Sequence, residues 1–289
     1  MRLPLTLPRP AAAETARPGR TPTLVVAHRG ASVAAPENTL AAVRAAAALG
    51  ADMVEIDVRR TGDGALVLLH DATLARTTDA TRVLPARGPW RVADLTLDEV
   101  RRLDAGSAHS AVHAGEPVPT LADALDLAGD LGLGVQLELK APASSPGMVA
   151  DVLAELRAWN VRSSARRTPP VVVQSFDVVA VKELAARAPH VRVGVLGTPP
   201  PSHLPALAGW AHQVNPRLVT ADRAYVDRVH ALGLECLVWT VDRPWAMRRA
   251  LRLGVDGLIT NRPDVLRSVL DRRVTFGSGA SAPAGVGWS

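Results

Sequence analysis

The feature that most constrains the fold is a regular alternation of short apolar, β-branched segments with longer segments rich in Ala, Leu and Arg. The short runs predict strands and the longer runs predict helices. A strand, a helix and a second strand in succession form the βαβ unit of a parallel sheet. Eight strands are predicted in this way: LVVA (24–27), MVEIDV (53–58), GVQLEL (134–139), VVVQS (171–175), VRVGVL (191–196), HQVNP (212–216), ECLVWT (235–240) and DGLIT (256–260).

The segments between these strands carry helix caps and stops. Capping residues such as Thr120, Asp177 and Asp222 precede them, and Gly132 and Gly254 follow them. Eight strand–helix units in about 250 residues indicate a closed TIM (β/α)8 barrel. An open doubly wound sheet is the alternative, but no Gly-rich dinucleotide turn follows the first strand. Helices are predicted over residues 38–49, 120–131, 147–160, 177–188, 222–232, 244–253 and 263–270.

The composition of the two ends sets the expected limits of the barrel domain. Prolines interrupt residues 1–22 where a signal peptide needs an apolar core, so we expect a disordered or loosely packed N-terminal arm. Gly, Ser and Ala dominate the last residues, so 273–289 is predicted to be a flexible tail. Residues 23–272 are therefore predicted to form the barrel.

The main irregularity follows the second strand. The run ALVLLH (65–70) is predicted to pair with that strand as a hairpin. Residues from about 71 to 119 then form a small insertion with one helical piece, LTLDEVRRLD (95–104), between loops. Long connections in compact domains are usually functional or small excursions from the fold.

Charge and cysteine content limit the expected partners. The net charge of +5 comes from an arginine-dominated composition in which Lys140 and Lys182 are the only lysines. The arginines are scattered and aromatic residues make up only 3%, which argues against nucleic acid and fits a phosphorylated small molecule. Because Cys236 is the single cysteine, no internal disulfide can form, and we expect a reducing, cytoplasmic location. No apolar run reaches the roughly 18 residues that span a membrane, so no stable membrane insertion is expected.

Side chains suited to catalysis recur at the C-terminal ends of the predicted strands, where TIM barrels place their active sites. His28 closes the first strand and His70 closes the extra one. Glu55 and Asp57 are two residues apart in the second strand and therefore point to the same face. Taken singly, each favours a structural role, such as a buried histidine or a carboxylate paired with arginine.

Two inward carboxylates repel each other unless a positive charge lies between them. Mg²⁺ and Ca²⁺ prefer oxygen ligands, and Glu138 in the third predicted strand can complete such a site. Lys140 lies two residues further on, on the same face, where a compact ammonium can meet an anion. With two histidines to move protons, this set predicts metal-dependent hydrolysis of a phosphodiester.

The segment AHRGASVAAPENTLAAVRAAAALGADMVEIDVRRTGDGALVLLHDATLARTT resembles the glycerophosphodiester phosphodiesterase family through HRG, PENT, ExD and HD in that order. The resemblance continues over most of the chain, from about residue 24 to residue 270. Further matching motifs are GE-x-VPTL (115–121), ELK (138–140), QSF (174–176), VWTVD (238–242) and GVDGLITNRPD (254–264).

The resemblance implies a TIM-barrel enzyme that hydrolyses glycerophosphodiesters to sn-glycerol 3-phosphate and an alcohol. It implies a divalent metal ion, Mg²⁺ or Ca²⁺, as cofactor and a small-molecule glycerophosphodiester as partner. The oligomeric state stays open. The residues with implied roles are Glu55, Asp57 and Glu138 as metal ligands, His28 and His70 as the acid/base pair, Arg29 and Lys140 as phosphate contacts, and Trp239 as part of the glycerol-side wall.

Two positions depart from the family pattern. Asp242 stands where the family usually has Asn, and His109 stands where we expect a large aromatic residue. His109 belongs to the loop 106–116, which we expect to cover the site and help select the alcohol, so the head group stays open. We favour His28 as the base and His70 as the acid, with water or the substrate's 2-hydroxyl as nucleophile.

Three other functions are compatible with parts of the sequence. A lysophospholipase D or sphingomyelinase-like enzyme would use the same site, but it needs an apolar mouth, which AHSAVHAGE (108–116) does not indicate. A barrel that binds a phosphorylated ligand without turnover would not need two histidines. A nucleic-acid-binding protein is suggested only by the pI near 10.4.

Overall fold

The computed structural model describes residues 22–162 and 170–277, and its centre is a closed barrel. Eight parallel strands form the barrel, because β1 pairs with β9 on one side and with β2 on the other. β3 adds an antiparallel hairpin on β2. This confirms the predicted TIM barrel and its extra strand. The strands are β1 (Leu24–Ala27), β2 (Met53–Arg60), β3 (Leu66–Leu68), β4 (Gly134–Leu139), β5 (Val171–Ser175), β6 (Arg192–Leu196), β7 (Gln213–Asn215), β8 (Glu235–Val238) and β9 (Gly257–Thr260).

Helices connect the parallel strands, and their ends follow the capping residues in the sequence. Thr39, Thr120, Asp177 and Asp222 each accept a hydrogen bond from a backbone N–H in the first helical turn. These side chains satisfy donors that have no partner inside the helix. The helices are α1 (Leu40–Ala48), α2 (Ala80–Val83), α3 (Leu97–Val100), α4 (Leu121–Leu131), α5 (Met148–Arg162), α6 (Val178–Arg187), α7 (Leu204–Ala208), α8 (Arg223–Ala231), α9 (Pro244–Leu253) and α10 (Pro263–Gly277).

Alternation along the strands separates the helix-facing layer from the barrel interior. In β2, Ile56 is fully buried in the layer that also contains Leu121 and Leu125 of α4. Its neighbours Glu55 and Asp57 are buried as well but face the other way. The hydrophobic layer therefore holds β2 in a register that directs both carboxylates into the barrel.

The insertion after β3 builds a small core of its own. Val67, Leu74 and Val92 belong to this cluster, which is separate from the main helix–strand layers. Of the helical piece predicted over 95–104 only α3 forms, and Thr96 caps its N-terminal end with a capping box. The following loop returns to the barrel, where Glu116 accepts a hydrogen bond from the backbone of α1.

The ends of the chain are only partly described. Residues 273–277, the beginning of the expected tail, belong to α10, whereas 278–289 and residues 1–21 of the expected arm lie outside the described residues. The domain limits therefore stay predictions. Among the helices of the described ranges, none combines the length and apolar character that a membrane crossing requires.

Candidate active site

Side chains from several strand ends surround one cavity at the C-terminal mouth of the barrel. Seven of the eight residues predicted for the site line this cavity. The eighth, Asp57, is fully buried and forms an ion pair with Lys140, one of the residues that line the cavity. The lining residues are His28, Arg29, Glu55, His70, Glu138, Lys140, Gln174, Phe176, Leu196, Trp239 and Ile259.

Three carboxylates from two neighbouring strands form the acidic part of the site. Glu55 and Asp57 are alternate residues of β2, and Asp57 stands opposite Glu138 in the parallel register of β4. One oxygen from each side chain lies within 4.8 Å of the others, and all three residues are buried. Each oxygen can therefore ligate the same ion.

Burial, mutual repulsion and the neighbouring cations shift the pKa values of these carboxylates in different directions. Burial and the charges of Asp57 and Glu138 raise the pKa of Glu55 well above its usual value. Burial and the charge of Asp57 raise the pKa of Glu138 to about 7. Burial opposes ionisation of Asp57 too, but Lys140, Arg29 and Asn38 outweigh it and lower that pKa. A hard divalent cation, which takes oxygen ligands and adds two charges, fits this donor set.

Two cations flank the carboxylates. Lys140 Nζ lies 3.0 Å from Oδ1 of Asp57 and 2.7 Å from Oε1 of Glu138. Arg29 Nε lies 3.2 Å from Oδ2 of Asp57, and its backbone N–H donates to Glu55. Because β1 ends at Ala27 and Arg29 has a φ of +56°, strand alternation no longer applies, and His28 and Arg29 both line the cavity.

His28 is held from behind by an amide. Its Nδ1 lies 2.7 Å from Oδ1 of Asn261, and Asn261 Nδ2 donates to Asp242 at 2.8 Å. Burial and the adjacent Arg29 lower the pKa of His28. The ring therefore favours its neutral form, with Nε2 on the side of Glu55, 4.0 Å from that carboxylate.

His70 is held by a carboxylate and an arginine clamp. Its Nδ1 lies 2.7 Å from Oδ1 of Asp71, and Arg76 Nε donates to the other oxygen of Asp71. Arg76 also donates through both Nη atoms to Glu37, which accepts a further bond from Arg29. Glu37 precedes α1, which begins at Leu40, and its carboxylate links the two arginines.

An aromatic pair forms the opposite wall. Trp239 Nε1 donates to the backbone oxygen of Asn215, and the ring of Phe176 meets Trp239 edge to face with centroids 5.6 Å apart. The guanidinium of Arg217 lies 5.4 Å from the Trp239 centroid. The expected cover from the loop 106–116 stays a prediction, since His109 contacts His113 and does not line the cavity.

Sequence reasoning missed several residues that support the site. Asn38 was interpreted only as part of the opening of α1, yet it donates to Oδ2 of Asp57 and accepts from the Asp57 backbone. Phe176 and Arg76 were not singled out either. Asn38 and Phe176 stand inside the motifs PENT and QSF, which was an available signal. Arg76 had no comparable signal, because its partners are 5 and 39 residues away.

A TIM barrel with clustered carboxylates, two supported histidines and two cations at its C-terminal mouth defines a hydrolytic barrel enzyme. The sequence matches the model of the glycerophosphoryl diester phosphodiesterase family over residues 28–265. A glycerophosphodiester phosphodiesterase of Caldanaerobacter subterraneus subsp. tengcongensis is 36% identical over 248 residues, which cover 84% of this chain and 96% of that protein. One of Bacillus subtilis is 31% identical over 260 residues, covering 85% of this chain and 86% of that protein.

Solved structures agree with these relatives. A phosphodiesterase from Oleispira antarctica, in complex with the product sn-glycerol-3-phosphate, superimposes with a TM-score of 0.77 at 29% identity and covers 86% of this chain and 97% of its own. A glycerophosphodiester phosphodiesterase from Agrobacterium tumefaciens has a TM-score of 0.69 at 30% identity, covering 85% and 99%. The chain therefore belongs to the glycerophosphoryl diester phosphodiesterase family and is a phosphoric diester hydrolase.

Proposed function

We propose that this chain hydrolyses glycerophosphodiesters to sn-glycerol 3-phosphate and an alcohol, using a divalent cation and two histidines. The observation that carries the proposal is the convergence of three buried carboxylates, two cations and both histidines on one cavity. The relatives named for this activity, and the product held by the Oleispira antarctica structure, support the same substrate class.

Glu55, Asp57 and Glu138 are the residues that would hold the cation, Mg²⁺ or Ca²⁺. When bound there, the ion neutralises phosphoryl oxygens and polarises phosphorus. Arg29 and Lys140 place two further positive charges at the cavity, where they can contact the phosphate of the diester. These charges stabilise the additional negative charge of the transition state.

His28 is the base in this proposal. The Asp242 carboxylate only accepts hydrogen bonds, so the Asn261 amide turns its nitrogen to Asp242 and its oxygen to His28. Nδ1 of His28 must then carry the hydrogen, which leaves the Nε2 lone pair free. The lowered pKa keeps the ring neutral near pH 7, so Nε2 can take the proton of water or of the 2-hydroxyl.

His70 is the acid. Its Nδ1 hydrogen faces the Asp71 carboxylate, so Nε2 is the atom available for delivering a proton to the departing alkoxide. Arg76 holds Asp71 in place from the other side. Trp239 and Phe176 provide an apolar wall against which the glycerol carbons can pack.

A lysophospholipase D-like activity is the second candidate, because exposed apolar side chains follow the C-terminal ends of several barrel strands. Val33, Phe176, Val179, Val219 and Trp245 are between 54% and 79% exposed. They follow four different strands, β1, β5, β7 and β8, at the C-terminal end of the barrel. The loop 108–116 alone did not indicate such a rim, and an acyl chain could lie against it.

The test is a substrate panel with the purified enzyme. Glycerophosphocholine, glycerophosphoethanolamine and glycerophosphoglycerol are assayed for glycerol 3-phosphate release with Mg²⁺, with Ca²⁺ and with a chelator; lysophosphatidylcholine is assayed for choline release. We expect cation-dependent release of glycerol 3-phosphate. Choline release from the lysolipid without glycerol 3-phosphate release from any diester would favour the second candidate. No turnover of any substrate would refute both activities and favour a barrel that binds a phosphorylated ligand without turnover.

The histidine roles have a separate test. His28→Ala and His70→Ala should each abolish turnover while the protein still binds the cation, measured by calorimetry. His203→Ala is the matched control, because His203 lies in the short 3-10 turn before α7, away from the cavity. Near-normal turnover in either site variant would contradict the assignment.

A further inference from the structure

Four buried amide side chains connect the interior of the barrel to the active-site cavity. Gln136, Gln174, Gln213 and Asn215 come from β4, β5 and β7, and none is more than 1% exposed. Buried amides must find hydrogen-bond partners, because an unpaired one costs its full desolvation energy. The way in which they pair determines which atom each presents to its neighbour.

The chain of amides begins at Glu235, at the N-terminal end of β8. Gln213 Nε2 lies 2.8 Å from Oε2 of Glu235, and Arg192 pairs with the other carboxylate oxygen at 2.7 Å. A carboxylate paired with arginine accepts hydrogen bonds and donates none. Gln213 must therefore turn its nitrogen to Glu235 and its oxygen toward the barrel axis.

The backbone N–H of Leu237 donates to Oδ1 of Asn215 and orients that amide, whereas Gln136 takes its orientation from Gln213. Gln136 Nε2 lies 3.0 Å from Oε1 of Gln213, and Asn215 Nδ2 lies 3.3 Å from the same oxygen. The same two nitrogens each lie 2.8 Å from Oε1 of Gln174. Since both neighbours present donors, the Gln174 atom between them has to be its oxygen.

Gln174 consequently presents its nitrogen to the cavity. It lines the cavity directly and stands opposite Glu138 in the register of β4 and β5. Its oxygen is already shared by two donors, and within residues 22–162 and 170–277 no hydrogen bond uses its Nε2. The cavity therefore contains an uncharged donor whose direction is set by the buried amides of Gln136 and Asn215.

We propose that Gln174 Nε2 donates a hydrogen bond to an oxygen on the glycerol phosphate half of the substrate, and that Glu235, Gln213, Gln136 and Asn215 are the positioning residues for this donor. The inference rests on the proposed function. The acceptor is an oxygen, either a non-bridging phosphoryl oxygen or a glycerol hydroxyl. A donor held by two bonds loses little conformational freedom when substrate binds, which makes the contact effective.

Gln174→Met tests the contact, with Gln136→Met as the matched variant. Both substitutions remove one buried amide of the same size from the chain, but only Gln174 offers a donor to the cavity. We expect both to lower Tm, and kcat/KM of Q174M to fall about tenfold or more below that of Q136M, as loss of one bond to a charged or polar oxygen implies. The inhibition constant of sn-glycerol 3-phosphate should rise in parallel. An unchanged kcat/KM of Q174M relative to wild type would overturn the proposal.

Two substrates distinguish whether a phosphoryl oxygen or a glycerol hydroxyl accepts the hydrogen bond from Gln174. Bis(4-nitrophenyl) phosphate has the phosphoryl oxygens but no glycerol, whereas glycerophosphocholine has both. Loss in Q174M on both substrates assigns the phosphoryl oxygen, and loss on glycerophosphocholine alone assigns a hydroxyl; either result supports the contact. Wild-type enzyme without glycerol 3-phosphate release would instead refute the proposed function, so the two failures are distinguishable.

The proposed positioning role of Glu235 has its own test, because Glu235 is the exposed end of the series of amides. Glu235→Gln keeps an oxygen that can accept from Gln213, whereas Glu235→Lys offers only donors and reverses the required orientation. The Glu235 side chain is 39% exposed, so both variants should fold. We expect the E235K variant to bind glycerol 3-phosphate at least about threefold more weakly than E235Q, since Gln213 then turns its nitrogen toward Gln136 and Gln136 turns its oxygen toward Gln213. The Gln174 oxygen then keeps only the donor of Asn215 and is held less firmly. Equal product affinity would overturn the positioning role.

Discussion

Nδ1 of His28 and Oδ1 of Asn261 lie 2.7 Å apart, although 233 residues separate them in the chain. The nitrogen of the same amide is held by Asp242, which also accepts from the Asn261 backbone. Asp242 is therefore not an isolated departure from the family motif. It orients the amide that determines which nitrogen of His28 carries the hydrogen.

Asp242 should affect turnover more than binding. We expect Asp242→Leu to lower kcat about tenfold with little change in KM, because Asn261 can then rotate and His28 can adopt the wrong tautomer. Asp242→Asn should retain most activity, since its amide oxygen still accepts from Asn261. Steady-state kinetics on glycerophosphocholine measure both effects. A kcat of D242L equal to that of wild type would contradict this role.

Added cation should stabilise the fold through the carboxylate triad. Mg²⁺ or Ca²⁺ at about 100 times its Kd should stabilise the native state by about 2.7 kcal/mol, or a rise in Tm of about 5 °C. Glu138→Gln should lose most of this rise, because it removes one ligand and part of the repulsion that the ion relieves. Differential scanning fluorimetry provides the measurement.

Glu183→Gln is the control for that experiment. Glu183 is an exposed carboxylate on α6 that pairs with Arg187 on the helix surface. It should keep the full cation response of the wild type. The same response in E138Q and in E183Q would mean that the ion stabilises the protein elsewhere.

Arg76 should support catalysis without contacting the cavity. Its three donors hold Asp71 behind His70 and Glu37 behind Arg29. We expect Arg76→Met to lower kcat/KM about tenfold, and Arg76→Lys to recover only part of it, because lysine cannot make the forked contact to Glu37. Arg82→Met, which removes an exposed arginine paired with Asp79 in the same insertion, is the matched control. Equal kcat/KM values in R76M and R82M would refute the role of Arg76 in holding Asp71 and Glu37.

His212 should make stability depend on pH. Burial and the neighbouring Arg192 lower its pKa, and its Nδ1 accepts from the backbone N–H of Val193. The folded state therefore binds this proton less readily than the unfolded state, and the stabilising contribution is complete above the unfolded pKa near 6.5. It declines as the pH falls below that value toward the lower folded pKa.

The measurement is the urea midpoint at pH 7.5 and at pH 5.5. We expect wild type to lose more stability over this interval than His212→Asn, whose side-chain oxygen can accept from Val193 but does not titrate. Other titrating groups contribute equally to both proteins and cancel in the difference. The same loss in both would show that protonation of His212 has no part in it.

Much of the fold could be predicted because its signals are local. The run MVEIDV already places Glu55 and Asp57 on one face, since successive strand residues alternate. The predicted limits of β1, β4 and β5 match the structure. Of the helical piece predicted over 95–104 only α3 forms, in an insertion that packs around its own cluster. Tertiary packing there overrides helix propensity.

The supporting contacts of the site could not be predicted in the same way. Asn261 reaches His28 across the seam where β9 meets β1, and Gln213 reaches Gln136 from the far side of the barrel. Neither pair has a local pattern, because barrel closure alone makes such residues neighbours. The exposed apolar side chains that follow the strand ends also come from segments far apart in the chain, so no single segment appears apolar.

The sequence by itself determined the barrel, the family and the eight residues proposed for the chemistry, because strand periodicity and short motifs act within a few residues of the chain. Only the tertiary structure decided how those residues are oriented. The tautomer of His28, the clamp on Asp71 and the direction of Gln174 depend on partners up to 233 residues away. Hydrogen-bond direction is a property of atoms in three dimensions, and the closure of eight strands is what brings those atoms within reach.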